Sequence, residues 1–94
     1  MNPTIENPSL DTLTRDLPSL SLSTLANVIR LDWKKPYFGA VPYLAALRTL
    51  ESVRDTYGAD DGRSIVRYFL SNATTWRGSI ARAVKAELQR RLKA

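Results

Sequence analysis

The chain has 94 residues, of which 44% are hydrophobic and 24% charged, a composition typical of one globular domain with its own core. It contains no cysteine and no histidine, which excludes disulfides, thiolate zinc sites, cysteine nucleophiles and the commonest general base. The formal net charge of +5 favours a polyanion or an acidic protein surface as partner. We therefore expect a protein that is not an enzyme and that uses no cofactor and no metal.

The sequence also indicates where such a protein works. Its longest weakly polar run, residues 37–47, is broken by Pro42 and is shorter than the roughly 20 residues of a membrane span. The first residues include Pro3, Glu6 and Pro8 instead of a basic start followed by an apolar stretch, so no signal peptide is expected. These features predict a cytoplasmic protein with no membrane partner.

Residues 1–20 predict an N-terminal arm that contains several prolines. Ser9 is placed to cap a short helix that would end at Pro18 and carry leucines on one face, namely Leu10, Leu13 and Leu17. The arm either docks through these leucines or moves freely. Docking is favoured because three leucines at helical spacing are costly to leave in water.

Residues 21–94 predict a single all-α domain, a compact bundle of three to four helices at about 22–35, 41–57, 62–72 and 75–92. Apolar side chains recur every three or four positions in each segment, as on the buried face of a helix. Ser21 or Ser23 would cap the first helix, and Asp60 or Asp61 the third. No run alternates apolar and polar residues, so strands are not expected.

Charge is distributed unevenly along the chain. Residues 1–62 carry six basic and eight acidic side chains, whereas residues 63–94 carry eight basic side chains and a single acidic one, Glu87. The stabilising effect of cations at the end of a helix accounts for Arg90, Arg91 and Lys93. It does not account for Arg63 and Arg67 of the predicted third helix or for Arg82 of the fourth, so we consider a functional role for these residues.

The basic residues of the last two helices suggest a nucleic-acid-binding surface. Two helices joined by a short turn, the second of them basic, have the outline of a helix-turn-helix reader. Lysine and arginine would neutralise phosphates, and glutamine would reach a base edge. The predicted nucleic-acid-binding residues are Arg63, Arg67, Arg82, Lys85, Gln89 and Lys93. A solvated basic face without a ligand, or an acidic protein partner, would give the same pattern.

A second set of residues supports an alternative function, that of a protein-binding regulator or inhibitor. Aromatic residues follow two lysines after the first helix, and such residues anchor protein interfaces or stack on bases. Trp33 is assigned to the core instead, because it lies on the apolar face of its helix. Two leucines fall off the buried faces of their helices, where either the N-terminal arm covers them or they form an exposed patch for a partner. The candidate protein-interface residues are Leu31, Tyr37, Phe38 and Leu44.

Arg54 is a further misfit, since it falls on the apolar face of the predicted second helix. It either extends its charged end to solvent or pairs with a carboxylate such as that of Asp32, or else it lines a functional groove. The adjacent Asp60 and Asp61 are interpreted as the start of a capped helix rather than as a metal site.

Four segments carry a resemblance to a known group: residues 22–44 with the Asp32-Trp33-Lys34 motif, residues 62–78, Ala81-Arg82 and residues 85–88. They resemble small uncharacterised helical proteins of actinobacteria and their phages or mobile elements. The resemblance covers about three-quarters of the chain and leaves out the arm. No activity is known for that group, so it assigns no residue a role. It implies a mobile-element setting, in which small basic helical proteins are often DNA-binding accessories or inhibitors of host machinery.

Overall fold

The structure, a computed structural model, describes residues 15–93. Within this range the chain forms four α-helices and one small hairpin: α1 (Leu22–Asp32), α2 (Val41–Leu47), β1 (Thr56–Tyr57), β2 (Asp60–Asp61), α3 (Gly62–Ser71) and α4 (Ser79–Lys93). Short 3-10 turns at Leu17–Ser19 and Phe38–Ala40 precede α1 and α2. Of the predicted all-α bundle, a compact and mostly helical fold is confirmed. The second and fourth helices differ from their predicted bounds, and two short strands are present.

Two helices begin at the predicted caps. The Ser21 hydroxyl accepts a hydrogen bond from the Thr24 N–H at 3.1 Å, and the Asp61 carboxylate accepts one from the Ser64 N–H at 2.7 Å. α1 ends at Asp32, three residues earlier than predicted. Pro36 is consistent with the early end, because a proline ring in a helix would clash with the carbonyl four residues earlier, which is that of Asp32.

The predicted second helix, 41–57, is wrong beyond Leu47, where α2 ends. Side chains in the following turn bond to nearby backbone and thereby compete with helical hydrogen bonds. The Asp55 carboxylate accepts the N–H groups of Glu51 and Ser52, and the Ser52 hydroxyl accepts that of Arg54. The Glu51 carbonyl instead accepts the Leu22 N–H at 3.0 Å, so this turn joins the start of α1.

The expectation that the chain forms no strands is also wrong. β1 and β2 pair antiparallel, with Tyr57 opposite Asp60, around a two-residue turn at Gly58 and Ala59. Gly58 has a φ of 62°, a left-handed conformation that glycine adopts at the first central position of such a turn. Gly58, which directly follows the predicted second helix, therefore lies in the turn of a hairpin.

α4 was predicted at 75–92. It begins four residues later than predicted, at Ser79, and ends one residue later, at Lys93. Gly78, with a φ of 111°, has a backbone conformation that a right-handed helix cannot contain, and it separates Trp76 from α4. Trp76 is nevertheless almost fully buried, so it packs from the connecting loop and not from a helix face.

The core lies between the four helices and contains a cluster of three aromatic rings. Trp33 stacks on Trp76 with ring centroids 5.9 Å apart, and Phe69 meets both rings edge-on. The assignment of Trp33 to the core is thus confirmed. The core is completed by aliphatic side chains from every helix, including Leu22, Leu25, Ile29, Leu47, Ile65, Val66, Val84 and Leu88.

Part of the predicted arm lies within the described residues. Leu17 is buried, and its carbonyl accepts a hydrogen bond from the Arg91 guanidinium at 2.8 Å. The predicted docking is therefore observed at Leu17. Leu10 and Leu13, together with the predicted cap at Ser9, lie outside the described residues.

Candidate functional site

α4 presents three of the predicted nucleic-acid-binding residues on one exposed face. Arg82, Gln89 and Lys93 are exposed and fall within roughly 40° of one another around the helix axis. They extend over roughly 16 Å along that axis. The opposite face of α4 packs into the core through small and aliphatic residues, namely Ala81, Val84 and Leu88. The predicted α4 surface therefore exists, and we call these three residues the basic face.

Glu87, the one acidic residue of the segment 63–94, is withdrawn from this surface. Its side chain is only 6% exposed. Arg90 donates to it through Nε at 3.0 Å and Nη2 at 2.5 Å, and Arg91 through Nε at 2.6 Å. The charged side chains that α4 exposes to solvent are consequently all positive.

Hydrogen bonds from Arg90 hold the pKa of the Glu87 carboxyl below its ordinary value, and those from Arg91 act in the same direction. Burial acts against them but is outweighed. Because the folded state has the lower pKa, the carboxylate stabilises the fold above an ordinary pKa of about 4.5. That contribution is lost as the pH falls through the lowered, folded-state value.

We expect Glu87→Gln to lower the free energy of unfolding by about 1 kcal/mol at pH 7, because it replaces charge-assisted hydrogen bonds with neutral ones. As the pH falls below about 4.5 and through the lowered folded-state pKa, the difference should shrink toward zero, since protonated glutamate resembles glutamine. Urea unfolding of both proteins across this pH range measures it. A difference that does not change with pH would contradict the assigned role of the carboxylate.

Lys85, another predicted phosphate contact, is occupied within the protein. Its Nζ donates to the carbonyls of Ala73 at 2.7 Å and Trp76 at 2.6 Å, and it lies 5.8 Å from the centre of the Trp76 ring. Burial lowers the pKa of the ammonium, and the nearby Arg77 adds to this. Lys85 therefore fastens the α3–α4 connection to α4, a role that its place on the helix wheel did not reveal.

Arg63 and Arg67 lie one turn apart on α3, Arg67 exposed and Arg63 partly buried. Hydrogen bonds from Ser64 lower the pKa of the Asp61 carboxyl, and the positive charges of Arg67 and Arg63 contribute further. Both arginines thus favour the charged form of Asp61, which caps α3. They differ in their surroundings, because Arg63 also borders a cleft.

This cleft has a volume of about 180 Å³ and lies between the turn after α2, the start of α3 and the end of α4. It is lined by Ser52, Val53, Arg54, Arg63, Arg90 and Arg91, and we call it the arginine cleft. Arg54 is on no helix here. Its side chain is exposed, as in the interpretation that extends its charged end to solvent, and it also lines this groove. In the sequence, the position of Arg90 and Arg91 at the end of the last helix was enough to explain them, and no pattern grouped them with Arg63. Their spacing of three and four residues from Glu87 was the sequence signal that they pair with this carboxylate.

The alternative protein-interface residues are only partly exposed as predicted. Phe38 is 79% exposed, Leu31 71% and Tyr37 45%. Leu44 is 5% exposed, so its assignment to this surface is wrong. α2 packs against both α1 and α3, and this packing buries Leu44. The helical wheel of the longer predicted helix, 41–57, had placed Leu44 on the outer face.

The described residues contain no group of three or more His, Cys, Asp or Glu side chains placed to hold a metal ion. None of their helices is long and apolar enough to cross a membrane. No family model, curated protein or solved structure was found to match the chain. The resemblance to small actinobacterial and phage proteins accordingly stays a prediction.

Proposed function

We propose that this chain is a non-catalytic nucleic-acid-binding module. The observation that carries the proposal is the burial of Glu87 beneath Arg90 and Arg91, which leaves an exposed α4 surface whose charges are all positive. A surface of this kind attracts the phosphate backbone and gains free energy from the counterions it releases.

The basic face divides this task between two kinds of side chain. Arg82 and Lys93 contact phosphates and fix the position of α4 along the strand. Gln89 lies between them on the same face, where its amide can donate to and accept from one base edge. Arg67 extends the phosphate contacts to α3. Lys85 contributes mainly by holding the loop in place, since its ammonium already bonds two carbonyls.

The test is a fluorescence anisotropy titration with a labelled duplex and a labelled single strand at about 50 and 200 mM salt. We expect binding at the lower salt that weakens steeply at the higher. Arg82→Glu/Lys93→Glu should weaken binding at about 50 mM by roughly tenfold or more and reduce the log–log salt slope by about two, one for each lost phosphate contact.

The matched control is Arg30→Glu/Arg48→Glu, which changes net charge equally at two exposed arginines of α1 and the turn after α2. Its affinity should stay close to that of the unchanged protein. Lys85 is left unaltered because its replacement would disturb the loop. No binding at about 50 mM salt, or an equal loss in both variants, would overturn the proposal.

Protein binding is the second candidate, and the exposure of Phe38 and Leu31 favours it. In a complex these side chains would supply an apolar anchor, with the basic face steering an acidic partner toward it. Leu31→Ala/Phe38→Ala should leave nucleic-acid affinity unchanged if the two functions use separate surfaces. A loss of nucleic-acid binding in this variant would mean that base stacking, not protein contact, explains the exposed rings.

A further inference from the structure

We infer that the arginine cleft is a binding site for a phosphate group that presents several unesterified oxygens, either the terminal phosphate of a nucleic-acid strand or free phosphate. The cleft is separate from the basic face of α4. The identification of the strand end as the source of the phosphate rests on the proposed function, whereas the existence of the site does not.

The arginine cleft carries an excess of positive charge. Four arginines line it, namely Arg54, Arg63, Arg90 and Arg91. Three nearby carboxylates already accept hydrogen bonds within the chain. Asp55 accepts two backbone N–H groups, Asp61 accepts that of Ser64, and Glu87 accepts from Arg90 and Arg91. Arg54, Arg90 and Arg91 together carry three positive charges against the one negative charge of Glu87, so the lining stays positive.

Two of the arginines are held in place before any ligand arrives. Arg91 is fixed at Nε by Glu87 and at Nη2 by the Leu17 carbonyl, and its side chain is 13% exposed. Arg90 is fixed by the same carboxylate through Nε and Nη2. These bonds use one edge of each guanidinium, and Nη1 carries two further N–H donors on each. Donors fixed in this way lose little freedom when an anion binds.

The shape of the guanidinium group determines which form of anion the cleft favours. A guanidinium fork matches the spacing of phosphate oxygens and binds them in pairs. A phosphate attached at one side only offers three acceptor oxygens and close to two negative charges near neutral pH. A phosphodiester within a strand has one charge and two bridging oxygens. A lining with an excess of arginine charge therefore favours the strand end or free phosphate over the strand interior. The volume of about 180 Å³ exceeds several times the roughly 30 Å³ of one water molecule in the liquid, so the anion fits.

The arginine Nε–H signals of the full chain, followed by NMR during titration with sodium phosphate, test the site directly. We expect saturable shifts at the cleft arginines and none at Arg82, with sodium chloride at equal ionic strength as reference. Arg54→Glu should weaken phosphate binding by roughly tenfold or more. Arg48→Glu, which alters charge equally at another exposed arginine, should not. Absence of saturable shifts at the cleft would overturn the inference, as would equal losses in the two variants.

A second pair of titrations identifies the source and separates the two proposals. A single strand with a 5′-phosphate is compared with the same strand ending in a 5′-hydroxyl. Tighter binding of the phosphorylated strand, removed by Arg54→Glu, supports the terminal phosphate. Binding of free phosphate with no binding of either strand supports the site and overturns the nucleic-acid function. Equal binding of both strands with no binding of free phosphate supports that function and overturns the cleft.

Discussion

Replacing Trp76 with alanine should lower the free energy of unfolding by about 3–5 kcal/mol, the range found when a buried tryptophan is truncated. The ring is 2% exposed, stacks on Trp33 and meets Phe69 edge-on. Its Nε1–H donates to the Asp32 carboxylate at 2.8 Å, and Lys85 bonds to its carbonyl. Small domains have a total stability of about 5–15 kcal/mol, so the variant should be close to unfolding or unfolded at 37 °C.

Urea unfolding followed by far-UV circular dichroism measures the loss without relying on tryptophan fluorescence. Trp76→Phe should lose less, because it keeps ring packing and gives up only the hydrogen bond to Asp32. Tyr57→Ala removes an aromatic ring from the exposed hairpin and should stay within about 0.5 kcal/mol of the unchanged protein. A loss below about 1 kcal/mol for Trp76→Ala would contradict the central place given to this ring.

Gly62→Ala should destabilise the protein by about 1–3 kcal/mol, the usual cost of forcing extra volume into packed structure. An added Cβ would lie 2.8 Å from the Val53 carbonyl oxygen and 2.9 Å from that of Ser52, and backbone atoms cannot rotate away. The Gly62 N–H also donates to the Asp55 carbonyl at 2.7 Å, which fixes the approach. At a position without this contact, the same substitution would stabilise the protein by about 0.4–1 kcal/mol.

The sign of the change in Gly62→Ala therefore tests whether the turn after α2 presses against the start of α3. Gly39→Ala is the matched control, because its Cβ would meet side-chain atoms of Tyr37 and Asn72, and Tyr37 is exposed and free to turn aside. We expect a smaller loss there. Ser52 and Val53 also line the arginine cleft, so Gly62→Ala should weaken phosphate binding as well. A stabilised Gly62→Ala variant would rule out the close approach.

Local signals were sufficient for much of the fold. The caps at Ser21 and Asp61 and the apolar spacing of α1 and α3 depend on residues within one or two turns, and these elements were predicted nearly in full. The turn after α2 depends on contacts across the molecule. Leu50, Val53 and Tyr57 have helical spacing, but the Glu51 and Leu50 carbonyls bond to the start of α1 instead. No pattern within that segment reports such a bond.

The same distinction applies to the candidate site. The spacing of Arg82, Gln89 and Lys93 on one helix predicted their shared exposed face. The arginine cleft combines a residue from a turn, one from α3 and two from α4, so only the tertiary arrangement brings them together. The hydrogen bonds from Lys85 to carbonyls of the preceding loop likewise depend on where α4 begins. Gly78 places that start four residues after the predicted one.

The hydrogen bond from Arg91 to Leu17 joins groups 74 residues apart, almost the whole described length of the chain. A contact of such long range closes a large loop, and the entropy lost in that closure makes the contact costly to form early in folding. Once formed, it places both ends of the described chain in one cooperative unit. Fraying of the last turn of α4 and release of the Leu17 segment then become a single opening event, with shared protection of their amides against hydrogen exchange.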